Sequence, residues 1–131
     1  MFQNPRVTEI YSAIEIDLTW QVCSYSIETC KYSGHGDQME YICGAALSEG
    51  GKPIIALPST TKHGLSEIMP YLKKGAGVVT TRGHLHWVVT EFGAVNLFGI
   101  IMDKRAKELI KPAQPEHREF LCKMAHGRLE Y

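Results

Sequence analysis

The chain has 131 residues, and 14 Lys plus Arg balance 14 Asp plus Glu, so the formal net charge is zero. That length fits a single domain with a real core, and a hydrophobic content of 44% excludes a disordered chain. The charge balance also argues against a nucleic-acid binder, which needs a clustered excess of Lys and Arg to neutralise phosphates.

No stretch approaches the roughly 20 apolar residues that cross a bilayer. Met1-Phe2-Gln3-Asn4-Pro5-Arg6 lacks the apolar run of a secretory leader. Cys23, Cys30, Cys43 and Cys122 include no CxxC pair, so no zinc or redox motif is spelled, and the thiols read as buried or idle. A soluble domain of a reducing compartment, bacterial cytoplasm or mitochondrial matrix, is expected.

Residues 9–27 read as two extended segments around a turn. Ile10, Ser12, Ile14, Ile16 and Leu18 alternate with Tyr11, Ala13, Glu15 and Asp17, a period-2 pattern with one apolar face. Asp17-Leu18-Thr19-Trp20 supplies the turn, where Trp20 is unusual because Gly or Asn is the common choice. A small-residue loop, Ser33-Gly34-His35-Gly36-Asp37-Gln38, leads into Met39–Leu47, an element closed by Gly50-Gly51-Lys52-Pro53. Pro53-Ile54-Ile55-Ala56-Leu57-Pro58 is a continuous apolar run between breakers, the pattern of a strand buried on both faces. Ser59–Leu65 is a polar loop, and Ser66–Leu72 is expected to form one or two helical turns. Gly77–Thr81 and His86–Thr90 are β-rich, the second ending at Glu91-Phe92-Gly93. Ala106, Leu109 and Ile110 then suggest a helix that Pro112 stops, and Pro115-Glu116 opens a last helix with Phe120, Leu121, Met124 and Ala125 on one inward face. Buried strands followed by two helices make a layered α/β structure.

Three constellations carry chemistry. In Gly34-His35-Gly36-Asp37-Gln38 two glycines allow backbone N–H groups to approach a phosphate or an oxyanion, although spacing alone also fits an ordinary turn. Glu91 sits at the end of an apolar strand, where ligand sites of α/β sheets collect. Half-buried, it would have a raised pKa or act as nucleophile or orienting group; the alternative is a solvated strand-end carboxylate. His84 and His86, two apart on one expected strand, share a face at a metal-ligand spacing, but no third ligand is spelled, so packing or contact with an anion is expected. Thr60-Thr61-Lys62-His63-Gly64 and Thr80-Thr81-Arg82-Gly83 each place hydroxyls beside a cation, as phosphate contacts or as solvated loops.

An ordered set of segments resembles the acetyl-CoA hydrolase/transferase family of CoA-transferases, in the C-terminal part of its second domain. The set is Ser12–Leu18, Tyr32–Gln38, Gly50–Thr60, Gly77–Arg82, Val88–Gly93, Arg105–Ile110 and Pro115–Glu119, and it runs along nearly the whole chain. The resemblance implies a NagB/RpiA/CoA-transferase-like layered α/β fold, with residues 1–131 as a partial domain carrying C-terminal helices. It implies coenzyme A and acyl-CoA as substrates, a short carboxylic acid such as acetate as acceptor, and no metal. Partners implied are these small molecules, together with an upstream half or a homo-oligomer.

In that family a glutamate attacks the acyl-CoA carbonyl to give an acyl-glutamyl anhydride. The CoA thiolate returns to form a glutamyl-CoA thioester, and a second acid, or water, resolves it. The resemblance places that nucleophile upstream of the matched region, outside this chain. It makes Glu91 a supporting active-site carboxylate and Gly34, Gly36 and Gln38 part of the glycine-rich active-site loop. At CoA-site positions, Tyr11 stands where the family has an asparagine and Asp37 where it has a glycine. Phe92 replaces a tyrosine, Trp20 a turn glycine, Glu67 a basic residue and Gln114 a histidine. Little or no turnover is therefore expected of the isolated chain. A catalytically inactive CoA-binding or interaction domain, and a metal module built on His84 and His86, are the alternatives.

Overall fold

The structure is a computed structural model that describes residues 3–27, 29–31 and 36–129. In chain order come β1 (Thr8–Ser12), β2 (Glu15–Asp17), β3 (Val22–Cys23), β4 (Ser26–Ile27), β5 (Cys30–Lys31), α1 (Gln38–Leu47), β6 (Lys52–Ala56), β7 (Ile68–Met69), β8 (Trp87–Thr90), β9 (Gly93–Asn96), α2 (Met102–Ile110) and α3 (Pro115–Leu129). A four-stranded sheet has the order β1-β6-β8-β9, and its first three strands are parallel. A smaller sheet has the order β3-β2-β7, and β4 pairs with β5. The expectation of layered α/β structure with C-terminal helices holds.

β1, α1 and β6 make a strand-helix-strand unit with parallel strands, so α1 runs back across the sheet and its N-terminus lies at the carboxyl ends of β1 and β6. Gly51 makes the return to β6 tight: a Cβ there would lie 2.0 Å from the Ala45 carbonyl oxygen. Ile55, Val88, Ile42, Leu97, Leu109 and Leu121 join Ile16, Leu18 and Trp20 in one core cluster.

The turn expected at residues 17–20 is present, with β2 and β3 antiparallel around it, but the alternation expected from Ile10 to Leu18 does not survive folding. The chain leaves β1 at Ser12, Ala13 N–H donates to the Ala56 carbonyl, and β2 enters a different sheet. The phase is lost: Ile10 is 64% exposed, whereas Glu15 and Asp17, expected on the polar side, are fully buried. Asp17 accepts from Thr19 N–H (2.8 Å), Thr19 Oγ1 (2.8 Å), Gln21 N–H (3.2 Å) and Gln21 Nε2 (3.0 Å), and Arg128 of α3 lies 3.5 Å away. Those bonds satisfy the carboxylate that burial would otherwise penalise. Glu15 accepts from Lys73 N–H at 3.1 Å, with Lys73 Nζ 3.9 Å from it. Trp20 sits at φ +68° with its ring buried and Arg105 4.4 Å above the ring centroid.

Other expectations are also corrected. Residues 66–72 form no helix; Ser66 Oγ donates to the Ile68 carbonyl, and Ile68 pairs in parallel with Ile16. Of Gly77–Thr81 only Thr80 bridges, to Val22. β9 goes beyond the strand end expected at Gly93, because Glu91-Phe92 turn the chain back on β8. β6 is central but covered on one face, with Ile55 buried and Ile54 and Ala56 only partly so. On α3, Leu121 and Ala125 define the buried stripe, and Phe120, one position off that i,i+4 pair, is 54% exposed. The cysteines are free; Cys23 is buried, but Cys30 and Cys122 are exposed.

Candidate functional site

Parallel strands place their following loops along one edge, and ligands collect there. β8 ends at Thr90, whose hydroxyl donates to the Pro112 carbonyl (2.6 Å) and accepts from Phe92 N–H (3.0 Å). The strand end is thereby pinned to the segment between α2 and α3, and Glu91 projects from it. Three residues beyond β6, fully buried Ser59 donates its backbone N–H to Glu91 Oε2 (2.9 Å) and its hydroxyl to Oε1 (2.6 Å). Both carboxylate oxygens are held by one residue 32 positions away.

The Ser59 hydroxyl, together with backbone N–H donors, holds the Glu91 carboxyl below the ordinary carboxylate value. Glu91 is exposed. The half-buried carboxylate with a raised pKa is therefore corrected: no desolvation outweighs these donors. The Gln114 side-chain amide lies 3.4 Å from Ser59 Oγ. That contact is to Gln114 Oε1, an acceptor, so the Ser59 hydroxyl is shared between a strong bond to Glu91 and a weak one to Gln114. Arg118 lies 6.0 Å from the Phe92 ring centroid and donates to the Ala113 carbonyl.

Gly34 and His35 lie outside the described residues. Gly36 has φ +50°, and Asp37, exposed at the N-cap position of α1, makes no side-chain capping bond. Gln38 is buried and points inward, donating to Thr80 Oγ1 (3.1 Å) and Ser24 Oγ (3.2 Å). Tyr11, near the carboxyl end of β1, packs on Tyr41 of α1 with ring centroids 6.4 Å apart. Burial, and then the negative charges of Glu9, Tyr41 and Asp37, push its phenol above the ordinary value, so it stays a protonated donor.

The fold thus gathers Tyr11, Asp37 and Gln38 at the α1 N-terminus, and sets Glu91 with Ser59 and Gln114 on the same sheet edge. Among the described residues no hydrogen bond joins the two groups. Ser59 and Ser24 were not singled out from sequence, where a serine just past an apolar strand end was the available signal; Thr80, expected as a phosphate contact or part of a solvated loop, is instead fully buried and accepts from Gln38. His84 lies in a turn with Nδ1 2.8 Å from Thr81 Oγ1, and His86 rests on Phe98 (4.4 Å), so the expected shared strand face is absent. The Thr61 hydroxyl is occupied by His63 and Leu65 N–H. Among the described residues no helix is long and apolar enough to cross a membrane.

Residues 1–125 match the acetyl-CoA hydrolase/transferase C-terminal domain family. The chain is 55% identical over 130 residues to the succinyl-CoA:acetate/propanoyl-CoA:succinate CoA transferase of Fasciola hepatica, covering 98% of this chain and 27% of that protein. It is 45% identical over 122 residues to the 4-hydroxybutyrate coenzyme A transferase of Clostridium kluyveri, covering 92% of this chain and 28% of that one. The crystal structure of RipA from Yersinia pestis superposes with a TM-score of 0.87 at 39% identity, over 96% of this chain and 28% of RipA. The chain spans little more than a quarter of the relatives it matches. Matching almost end to end, in sequence and in fold, it belongs to the acetyl-CoA hydrolase/transferase family, in that family's C-terminal domain.

Proposed function

We propose that residues 1–131 are the C-terminal domain segment of a CoA-transferase or acyl-CoA hydrolase that moves CoA between short-chain carboxylic acids such as acetate. The observation that carries this is the shared edge: the Gly36–Gln38 turn at the α1 N-terminus and the clamped Glu91 both lie at the carboxyl ends of β1, β6 and β8. A helix N-terminus favours an anionic group such as a CoA phosphate or a developing oxyanion. Gly34, Gly36 and Gln38 form the CoA-facing loop, with Tyr11 and Asp37 on its wall. Glu91 stays ionised and orients the reacting groups.

Chemistry proceeds through a glutamyl-CoA thioester on a glutamate that the rest of the subunit supplies. Acyl-CoA gives its acyl group to that carboxylate with release of thiolate, the thiolate attacks the glutamyl carbonyl of the anhydride and releases the free carboxylate, and an acceptor carboxylate takes the CoA by the same two steps in reverse, which frees the glutamate. No metal takes part. The enzyme works in the cytoplasm, or in the mitochondrial matrix of a eukaryote.

Calorimetric titration of CoA into the chain tests the site. Weak binding is expected, strengthened by Asp37→Gly, which removes a negative charge from the loop. Acetyl-CoA turnover by the chain alone should be negligible. Absence of CoA binding by both proteins would overturn the site, and turnover abolished by Glu91→Gln would make Glu91 the nucleophile.

A further inference from the structure

A charged side chain withdrawn from water is ordinarily paired, because desolvation otherwise penalises the charge. Arg105 of α2 is half-buried and donates one N–H to the Leu85 carbonyl (2.9 Å). Among the described residues no carboxylate comes within ion-pair distance of its guanidinium. Burial alone lowers its pKa, and no acid opposes that shift. Its Nε–H is buried without a hydrogen-bond partner, and so is the indole N–H of Trp20, a side chain only 1% exposed. The two groups form one stack, with the guanidinium carbon 4.4 Å from the centre of the Trp20 ring. His86, within electrostatic reach of Arg105, is held below its ordinary value by burial first and then by the charges of Arg105 and His84, so it adds no second positive charge at neutral pH.

Two adjacent donors without acceptors, one of them on an uncompensated cation, are the complement of an anion. A water molecule satisfies the hydrogens but leaves the charge unpaired. We propose that the stacked Trp20–Arg105 pair is a binding site for a small monovalent anion, a short carboxylate or a halide. One positive charge calls for one negative charge, and the fully buried Trp20 and Leu85 that wall the site favour a small ion. The indole N–H and the guanidinium N–H groups not used by Leu85 hold it through charge-assisted bonds. Bound there, the ion links three chain-distant pieces: the turn after β2, the segment before β8, and α2. The site uses no residue of the Glu91–Ser59 edge or of the α1 N-terminus, and it does not rest on the CoA reading.

The chain has two tryptophans, so Trp87 serves as the internal control when the indole N–H groups are followed by nitrogen-15 NMR. Sodium acetate and sodium chloride are titrated separately into the 131-residue chain. The Trp20 cross-peak should shift saturably with at least one of them while that of Trp87 stays in place. Saturation by acetate alone identifies a carboxylate site and saturation by chloride a halide site; both support the proposal. Arg105→Gln should raise the midpoint at least about tenfold. At about 100 times the midpoint concentration the parent's Tm should rise by about 5 °C or more, and that of Trp20→Phe, which keeps a buried ring but loses the donor, by less than half as much. Should Arg105→Gln not fold, the Trp20→Phe comparison decides alone. A linear drift shared with Trp87, a midpoint unchanged in Arg105→Gln, or equal Tm gains in Trp20→Phe and the parent would overturn the proposal. So would an unmoved Trp20 peak, and a nuclear Overhauser effect from that peak to water would then make water the acceptor.

Discussion

Trp20 sets two large effects against each other. Its φ of +68° is the left-handed region, which costs a non-glycine residue about 1–2 kcal/mol. Its indole N–H is buried without a hydrogen-bond partner, a further penalty of about 1–3 kcal/mol. Against these stands a fully buried ring, stacked under Arg105; truncating such a side chain costs about 3–5 kcal/mol. Trp20→Gly, the residue that the family resemblance puts here, sheds both penalties together with the ring, and at the middle of these ranges should destabilise by about 0.5 kcal/mol net, lowering Tm by only about 2 °C in a chain of this size. Trp20→Ala creates nearly the same cavity but keeps the strained backbone, and should be about 1 kcal/mol less stable than Trp20→Gly. Thermal unfolding followed by circular dichroism measures both. An alanine variant as stable as the glycine variant would refute the backbone argument, and a glycine variant destabilised by the full cost of about 3–5 kcal/mol would refute the offsetting penalties.

Ser59→Ala should move the Glu91 carboxyl titration, followed by carbon-13 NMR, upward toward the ordinary value, because the hydroxyl donor is the largest cause of its depression; an unmoved midpoint would show that the backbone donors suffice. Burial first, and the neighbouring Glu15 charge, push Glu67 above its ordinary 4.5, with Lys73 opposing. Its contribution to stability is therefore full below about pH 4.5 and lost as pH rises through the raised value. Glu67→Gln should be more stable than the parent at pH 7 and lose that advantage below about pH 4.5, in urea unfolding across pH; an advantage independent of pH would refute this. Gln38→Leu removes the donor to fully buried Thr80 and to Ser24, and should cost about 1–3 kcal/mol by urea unfolding. A cost below about 0.5 kcal/mol would show that the two hydroxyls find other partners.

The parts of the site legible in sequence are those whose chemistry is local. Gly36-Asp37-Gln38 reads as a loop before an element because glycine permits φ > 0, and the fold puts that loop at the start of α1. Glu91 reads as a strand-end carboxylate because an apolar run stops there, and it is one. Its ionisation was not legible, since the decisive donor, Ser59, is 32 residues away. Gln38 gave no sign that it turns inward, because its acceptors Thr80 and Ser24 come from other loops.

The sequence by itself determined the apolar strand of β6, the two helices closed by Pro112 and opened by Pro115, and the ordered motifs that mark the family. These follow from short-range rules of periodicity, capping and turn chemistry. Tertiary structure alone decided which face those residues show. It broke the alternation at Ser12 by sending β1 and β2 into different sheets, which buried Glu15 and Asp17 and left Ile10 in solvent. A charge can be buried only where donors meet it: Thr19 and Gln21 do so locally for Asp17, and Arg128 and Lys73 come to Asp17 and Glu15 from far along the chain. A period of two residues carries no record of partners 58 and 111 positions away.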